Sequence, residues 1–292
     1  MSAPLVTIAL PVLNAADTLG YALRSLEWQT FADWELLILD DGSSDGSADV
    51  ARSFAEREPR ARIVAPTGER GLAARLNQAV DMAAGAYLAR MDADDVAYPE
   101  RLERQVDLLE RRQDIDVVGS STLVFRAGGV PIGVRTVPET HEAICGRPHS
   151  GFALFHPTWV ARTHWLRRLG YDVRAIRAED QELLLRAYRT STFANVPDVL
   201  LGYREDALSL DASLRGRRSL IRAGARTALA RGDVLGAMLT AGSQAAKGIV
   251  DVAAMGTGMG ATLQRRRGHA HVEPAQFASW RLLWSRLQES AA

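Results

Sequence analysis

Short, unbroken apolar runs alternate along the first hundred residues with stretches in which apolar positions recur every three or four. Residues 5–13 (LVTIALPVL), 35–40 (ELLILD), 61–65 and 87–91 are runs of the first kind and read as buried strands. Between them, Leu19, Ala22, Leu23 and Leu26 fall at helical spacing, as do Leu72, Leu76, Ala79, Val80 and Ala83. The helices so predicted cover 18–28, 47–57, 72–84 and 100–112, with Ser47 as N-cap of the second and Pro99 opening the fourth. Strands separated by helices of this length predict βαβ units, hence an α/β fold with a Rossmann-like, doubly wound, mostly parallel sheet.

The pattern loosens beyond residue 113. Residues 117–126 and 130–137 read as strands joined by Gly128-Gly129 in a hairpin, 196–203 as a further strand, and 163–169 and 178–188 as helices. From Arg215 onward the spacing is helical, in three segments broken near Arg231-Gly232-Asp233 and at 256–260. The G-x-G-x-G of 256–260 follows a helical stretch instead of a strand, so it reads as a helix break and not a dinucleotide loop. Trp280 and Trp284, one turn apart and aligned with Phe277, predict a core-facing stripe.

Polar clusters fall where the predicted strands end: Asn14 after the first, Asp40-Asp41 after the second, and Asp92, Asp94 and Asp95 after the fourth. In doubly wound sheets ligands bind beyond the carboxyl ends of the strands, so three strands deliver polar groups to one rim. Asp92 and Asp94, at i and i+2 in extended chain, share a face and suit one hard cation such as Mg²⁺ or Mn²⁺. A cation there can bridge a diphosphate and neutralise the charge that develops as it leaves. A D-x-D taken alone fits a solvated acidic turn capping the next helix better than a metal site, and Asp95, nearest that helix, reads as structural.

Composition narrows the function. The 35 Lys+Arg balance 35 Asp+Glu, which argues against a nucleic-acid partner. One cysteine, Cys145, excludes a disulfide framework and a cysteine-rich zinc site, and points to a reducing compartment. The charge is unevenly spread, however: residues 1–206 carry net −7 and 207–292 net +7, and Lys247 is the only lysine among those 35 cations. No secretory leader or membrane span is expected, since the least polar stretch, 234–264, is broken by Lys247 and Asp251. A cytoplasmic protein is the expectation, with peripheral attachment to the inner face of the membrane left open.

Several stretches together resemble the family 2 glycosyltransferases of the GT-A fold, bacterial members in particular. They are PVLN (11–14), SLEWQT (25–30), ELLILDDGSSDGS (35–47), GLAARLNQAVDMAAGAYLARMDADD (71–95), PERLERQ (99–105), HPTW (156–159), AEDQELLLRA (178–187) and LLGYRE (200–205). The resemblance implies a GT-A catalytic domain over 1–206, with a nucleotide-sugar-binding half (1–125) and an acceptor-binding half (126–206). Residues 207–292 form a helical extension beyond it. It also implies an inverting, metal-dependent transfer from a nucleotide-diphospho-sugar (UDP-, GDP- or dTDP-linked) to a glycan or lipid-linked acceptor, in bacterial cell-surface polysaccharide, lipopolysaccharide or exopolysaccharide synthesis.

Family roles carry over position by position. Pro11, Asn14 and Asp41 would hold the base and ribose, with Asp40 either assisting or bracing the turn, and Arg70 resembles a basic residue near the base or diphosphate. Asp92 and Asp94 match the metal and diphosphate motif, Asp94 as the direct ligand. Asp180 matches the general base, at a helix start whose dipole favours the ionised form. Its neighbour Glu179 and His156 are acceptor-side candidates. Leu13 stands where the family has an aromatic, and in Ala74-Arg75-Leu76-Asn77 the arginine is shifted by one from the family's A-R-N. The Q-x-x-R-W of processive synthases is absent, which favours addition of a single sugar. A sugar-nucleotidyltransferase is the enzymatic alternative, though its G-x-G-T-R loop is missing; a non-catalytic glycan-binding relative is the other. For the basic 207–292 the expectation is contact with an anionic membrane, against docking on the acidic half or simple solvation.

Overall fold

A computed structural model describes residues 3–206, 210–256 and 270–289. The expected alternation is present: β1 (Val6–Val12), α1 (Ala16–Glu27), β2 (Trp34–Asp40), α2 (Ser47–Ala55), β3 (Ala61–Val64), α3 (Leu72–Met82) and β4 (Tyr87–Arg90). A two-residue strand that the pattern does not announce, β5 (Val96–Ala97), precedes α4 (Arg101–Arg111). The hairpin of β6 (Val117–Arg126) and β7 (Val130–Arg135) turns at Gly128-Gly129, both at positive φ, as the sequence predicts. There follow α5 (His141–Ile144), β8 (Val160–Arg162), α6 (Thr163–Leu169), α7 (Glu179–Ala187) and β9 (Phe193–Arg204). Last come α8 (Leu210–Leu229), α9 (Val234–Gly256) and α10 (Pro274–Glu289). The break at Arg231-Gly232-Asp233 separates α8 from α9. The Gly-rich stretch past Gly256 and Arg265–Arg267 lie outside the described residues.

All nine strands join one sheet, ordered β3-β2-β1-β4-β8-β6-β9-β5, with β7 on the outer edge of β6. The long ladders β1–β2 and β6–β9 are parallel, and the antiparallel β4–β8, β6–β8 and β5–β9 pairings are short. Both faces are covered. Val6, Ile8, Leu10 and Val12 face one core with Leu19, Leu23 and Leu102, whereas Ala9, Leu37 and Leu39 face another with Leu76, Trp165 and Leu184. This two-sided burial is why the strands read as unbroken apolar runs.

One capping expectation is corrected. Ser47 lies inside the first turn of α2, and Gly46 occupies the cap position. Asp45 does the capping work, accepting from Ser47 N at 2.9 Å, while Ser47 Oγ accepts from Ala15 N at 2.8 Å. An aspartate two residues earlier reaches the orphan amide better than the serine can reach its own turn.

The C-terminal extension is built into the molecule. Trp280 of α10 is fully buried against Phe125 and Tyr98, stacks on Trp284, and donates from Nε1 to Gly129 O at 2.7 Å. Phe277, expected on the same stripe, is 40% exposed. Gly202 of β9 makes this docking possible, since a Cβ there would sit 2.4 Å from the Trp280 ring.

Candidate active site

The loops after β1, β2 and β4 meet at one rim, and β9 closes it from the other side. Two clefts open there. The smaller, about 480 Å³, is lined by Pro11, Leu13, Asn14, Asp41, Gly71, Arg75, Asp92, Asp94, Arg204 and Asp206. The larger, about 970 Å³, is lined by Arg90, Asp92, His156, Asp180, Gln181, Tyr203, Arg217, Gln244 and Lys247 among others. Asp92 borders both.

Asp41 is held in the floor of the small cleft. Its Oδ2 accepts from Gly71 N at 2.8 Å, and its Oδ1 lies 3.3 Å from Nε of the buried Arg75. The same guanidinium donates to the carbonyls of Thr67 (2.6 Å) and Glu69 (2.7 Å), so one side chain fixes both the carboxylate and the loop beside it. Asp40 turns the other way: its Oδ1 accepts from Ser43 N and Oγ, which makes it the brace of the turn and keeps it out of both clefts. Asn14 sits at φ 50°, a backbone state asparagine tolerates, and its Oδ1 accepts from Ser44 N at 2.8 Å. It therefore ties the first loop to the second. Arg70 is exposed beside Gly42, whose positive φ disfavours any side chain, and it lines neither cleft.

The acidic loop is compact. Asp92, Asp94 and Asp95 each offer an oxygen within 4.8 Å of the others. Asp95 is buried, accepts from Arg204 N at 2.9 Å through Oδ1, and has no partner for Oδ2 among the described residues. Burial, then the charges of Asp92 and Asp94, push its carboxyl well above the usual range. Asp94 is open to solvent on one side, yet displacement of water by the surrounding protein, then the charge of Asp92, push it up to about 6. Asp92 accepts from Arg90 Nη2 at 2.5 Å. Arg90 is buried, and although burial works against its charge, Asp92 and Asp95 outweigh it and keep the guanidinium ionised. Crowded hard oxygens, one of them orphaned, fit a divalent cation.

Asp180 and Glu179 begin α7, next to each other but differently placed. Glu179 is buried, and its Oε1 accepts from the backbone N of Arg177, itself at φ 61°. Burial raises its pKa, and it lines neither cleft. Asp180 points into the large cleft and is oriented by Gln181, which donates from Nε2 at 3.0 Å while its Oε1 accepts from Phe152 N. His156 also lines this cleft but is nearly buried, packed edge-on against Trp159, with Nε2 3.1 Å from the Tyr171 hydroxyl. Burial, then the Arg90 charge, push it well below the ordinary histidine range, so it is neutral.

Four contributors were not singled out from the sequence: Arg75 as brace of Asp41, Arg90 as partner of Asp92, and Arg204 with Asp206 as the far wall of the small cleft. Arg75 was detectable, because it falls on the apolar stripe of the 72–84 helix, three residues after Leu72 and next to Leu76. A charge on a buried face needs a partner. Arg204 and Asp206 left no such trace. Asn77, which keeps the family register, is structural here, exchanging hydrogen bonds with the backbone of Tyr171 at 2.9 and 2.8 Å. Cys145 caps α5, its thiol pushed up to about 11 by burial and then by Glu142.

Known proteins match this chain in sequence and in fold. A family model described as Glycosyl transferase family 2 covers residues 7–167. EpsE of Bacillus subtilis, named as a glycosyltransferase, is 35% identical over 211 residues, spanning 70% of this chain and 75% of its own. Among solved structures, S. aureus TarS in complex with UDP-GlcNAc superposes with a TM-score of 0.61 at 19% identity, over 78% of this chain and 67% of that one. The mannosyltransferase PcManGT of Pyrobaculum calidifontis, in complex with GDP-Man and Mn²⁺, gives 0.59 at 18% identity over 99% and 86%. Sequence and fold agree, and the nucleotidyltransferase alternative falls away: the chain belongs to the family 2 glycosyltransferases and has their GT-A fold.

Proposed function

We propose that this glycosyltransferase moves one sugar, with inversion, from a nucleotide-diphospho-sugar to an acceptor hydroxyl in the synthesis of a bacterial surface glycan. The observation that carries the reading is the position of Asp92, on the wall shared by the two clefts. The small cleft is the donor side. Asp41, braced by Arg75, offers an acceptor oxygen to a ribose hydroxyl or base N–H, and Pro11 and Asn14 shape the pocket around it. Leu13, exposed where relatives carry an aromatic, offers apolar contact in its place. Arg204 brings a cation to the side where a diphosphate would lie.

Asp94 and Asp92 would hold a Mn²⁺ or Mg²⁺ ion, which supplies charge neutralisation for the departing nucleoside diphosphate. The large cleft is the acceptor side. There the acceptor oxygen attacks the anomeric carbon on the face opposite the diphosphate. Asp180 takes the hydroxyl proton, a new C–O glycosidic bond forms, and the old bond breaks with its electron pair on the diphosphate. Gln181 sets the orientation of that carboxylate, and neutral, buried His156 shapes the wall without competing for the proton.

A thermal-shift panel of UDP-, GDP- and dTDP-sugars, each with and without Mn²⁺, tests the donor side. One donor class should stabilise the protein, and more so with metal. Asp180→Asn should leave that shift intact while transfer falls by about 10²–10⁴-fold. Near-normal turnover in this variant removes Asp180 as the base.

A further inference from the structure

Helix α9 is polar where it meets the protein and apolar where it faces out. Thr240, Gln244 and Asp251 are buried. Thr240 Oγ1 pairs with His149 Nδ1 at 3.1 Å, and Gln244 Nε2 and Lys247 Nζ donate to Ser150 O at 3.2 and 2.5 Å. Asp251 takes an ion pair from Arg217 of α8 at 2.6 Å. Both charged residues of α9, Lys247 and Asp251, are thus engaged on the inner side. On the outer side Leu235, Met238, Leu239, Ile249, Val250 and Val252 are 49–70% exposed. A helix at a water-facing surface has the reverse polarity.

The neighbouring helix supplies charge. A groove of about 450 Å³ between α8 and α9, lined by Leu214, Ile221, Gly248 and Ile249, is edged by Arg218. Arg218 and Arg222 are exposed one turn apart on α8 and take part in no ion pair among the described residues. Residues 257–269, which follow α9 in sequence, contain three arginines and no acidic residue. No described helix is long and apolar enough to cross a membrane.

We propose that the outer face of α8 and α9 seats the enzyme on an anionic lipid bilayer, with α9 lying in the plane of the interface. An apolar face flanked by arginines is the chemistry that binds anionic headgroups and the acyl boundary beneath them. A second copy of this chain fits less well. A two-fold dimer through this face sets like patch against like, cation against cation, and α9 has no outward acid to pair with them. The arrangement also has a use. The inner sides of the same helices, through Arg217, Gln244 and Lys247, wall the cleft that holds Asp180. A lipid-linked acceptor would then enter a cleft lying one helix, about 10 Å, from the bilayer. That last link rests on the transfer reading above; the docking itself does not.

Flotation of the full chain with vesicles tests it, using phosphatidylcholine alone and phosphatidylcholine mixed equally with phosphatidylglycerol. The protein should float with the anionic vesicles, stay behind with the neutral ones, and be released as salt screens the headgroups. R218E/R222E and, separately, L235S/I249S should each lower the bound fraction by about tenfold or more. Both variants should keep the wild-type donor-induced thermal shift, so failure of the donor reading shows as a missing shift with flotation intact. Absence of salt-sensitive flotation overturns the proposal, as does flotation unchanged in both variants. A sedimenting dimer that I249S converts to monomer, with no vesicle binding, assigns the face to self-association instead.

Discussion

Replacing Arg75 by methionine separates structure from function at the small cleft, the proposed donor side. The side chain is 1% exposed, and its guanidinium makes one contact to Gln78 Oε1, two to backbone carbonyls and one to Asp41. Methionine fills most of the volume but leaves Asp41 as a nearly buried carboxylate with only the Gly71 N–H. Removing one partner of a buried pair costs about 3–5 kcal/mol. At about 2–4 °C per kcal/mol for a domain of this size, the melting temperature should fall by about 6–20 °C. The carboxylate also loses its orientation. If a charged hydrogen bond to the nucleotide is forfeited, about 1.5–3 kcal/mol, donor affinity should drop roughly tenfold to a hundredfold. Arg75→Lys keeps the charge but not the fork, and should fall between the two. Calorimetry gives the first quantity and titration with the stabilising nucleotide the second. A melting change under about 2 °C would refute the claim that Arg75 braces this site.

Asp94→Ala should abolish the Mn²⁺-dependent part of nucleotide stabilisation; an unchanged metal response sinks the assignment. Trp280→Ala removes the ring that fills the space above Gly202 and orphans the Gly129 carbonyl, and should cost about 3–5 kcal/mol in a denaturant melt; a loss under about 1 kcal/mol would mean that α10 is dispensable. For His156 the folded-state pKa lies below the unfolded value of 6.5, so the unfolded chain binds the extra proton. Its contribution is complete above that pH and is lost as pH falls below it, at up to about 1.4 kcal/mol per pH unit. His156→Gln should flatten the acid limb of the stability profile, and an unchanged slope would show that the histidine is not held neutral.

Much of the architecture was legible because it is written in local patterns. Buried parallel strands read as unbroken runs, α1 to α4 as stripes, and the rim as polar clusters at strand ends, so Asp41, Asp92 and Asp94 could be named from pattern, whereas Asp180 could be named only from the family resemblance. Roles set by side-chain direction were not legible. Asp40 and Asp41 are adjacent, yet one braces a turn and the other faces the cleft, and nothing in the order D-D-G says which. Glu179 and Asp180 divide in the same way. Arg204 and Asp206 reach the rim only through β9, whose pairing with β6 is long-range. The basic C-terminal segment was read as helical, from spacing and charge, but nothing local says that α8 and α9 turn one side to the large cleft and another outward.

The bond between Arg204 N and Asp95 spans 109 residues of sequence and joins the acidic loop to the end of β9. It bears on the order of assembly. Strands β1 to β4 can pair as the first hundred residues emerge, but the small cleft gains its far wall only when β9 finds β6 across α5, α6 and α7. Such non-local pairing carries a loop-closure cost that the neighbouring β1–β2 ladder largely avoids. A nascent or truncated chain ending near residue 125 would therefore hold most of the lining of the small cleft but not its far wall, Arg204 and Asp206. Nucleotide binding at the small cleft, as proposed, should accordingly tighten once β9 has brought Arg204 and Asp206 to the rim.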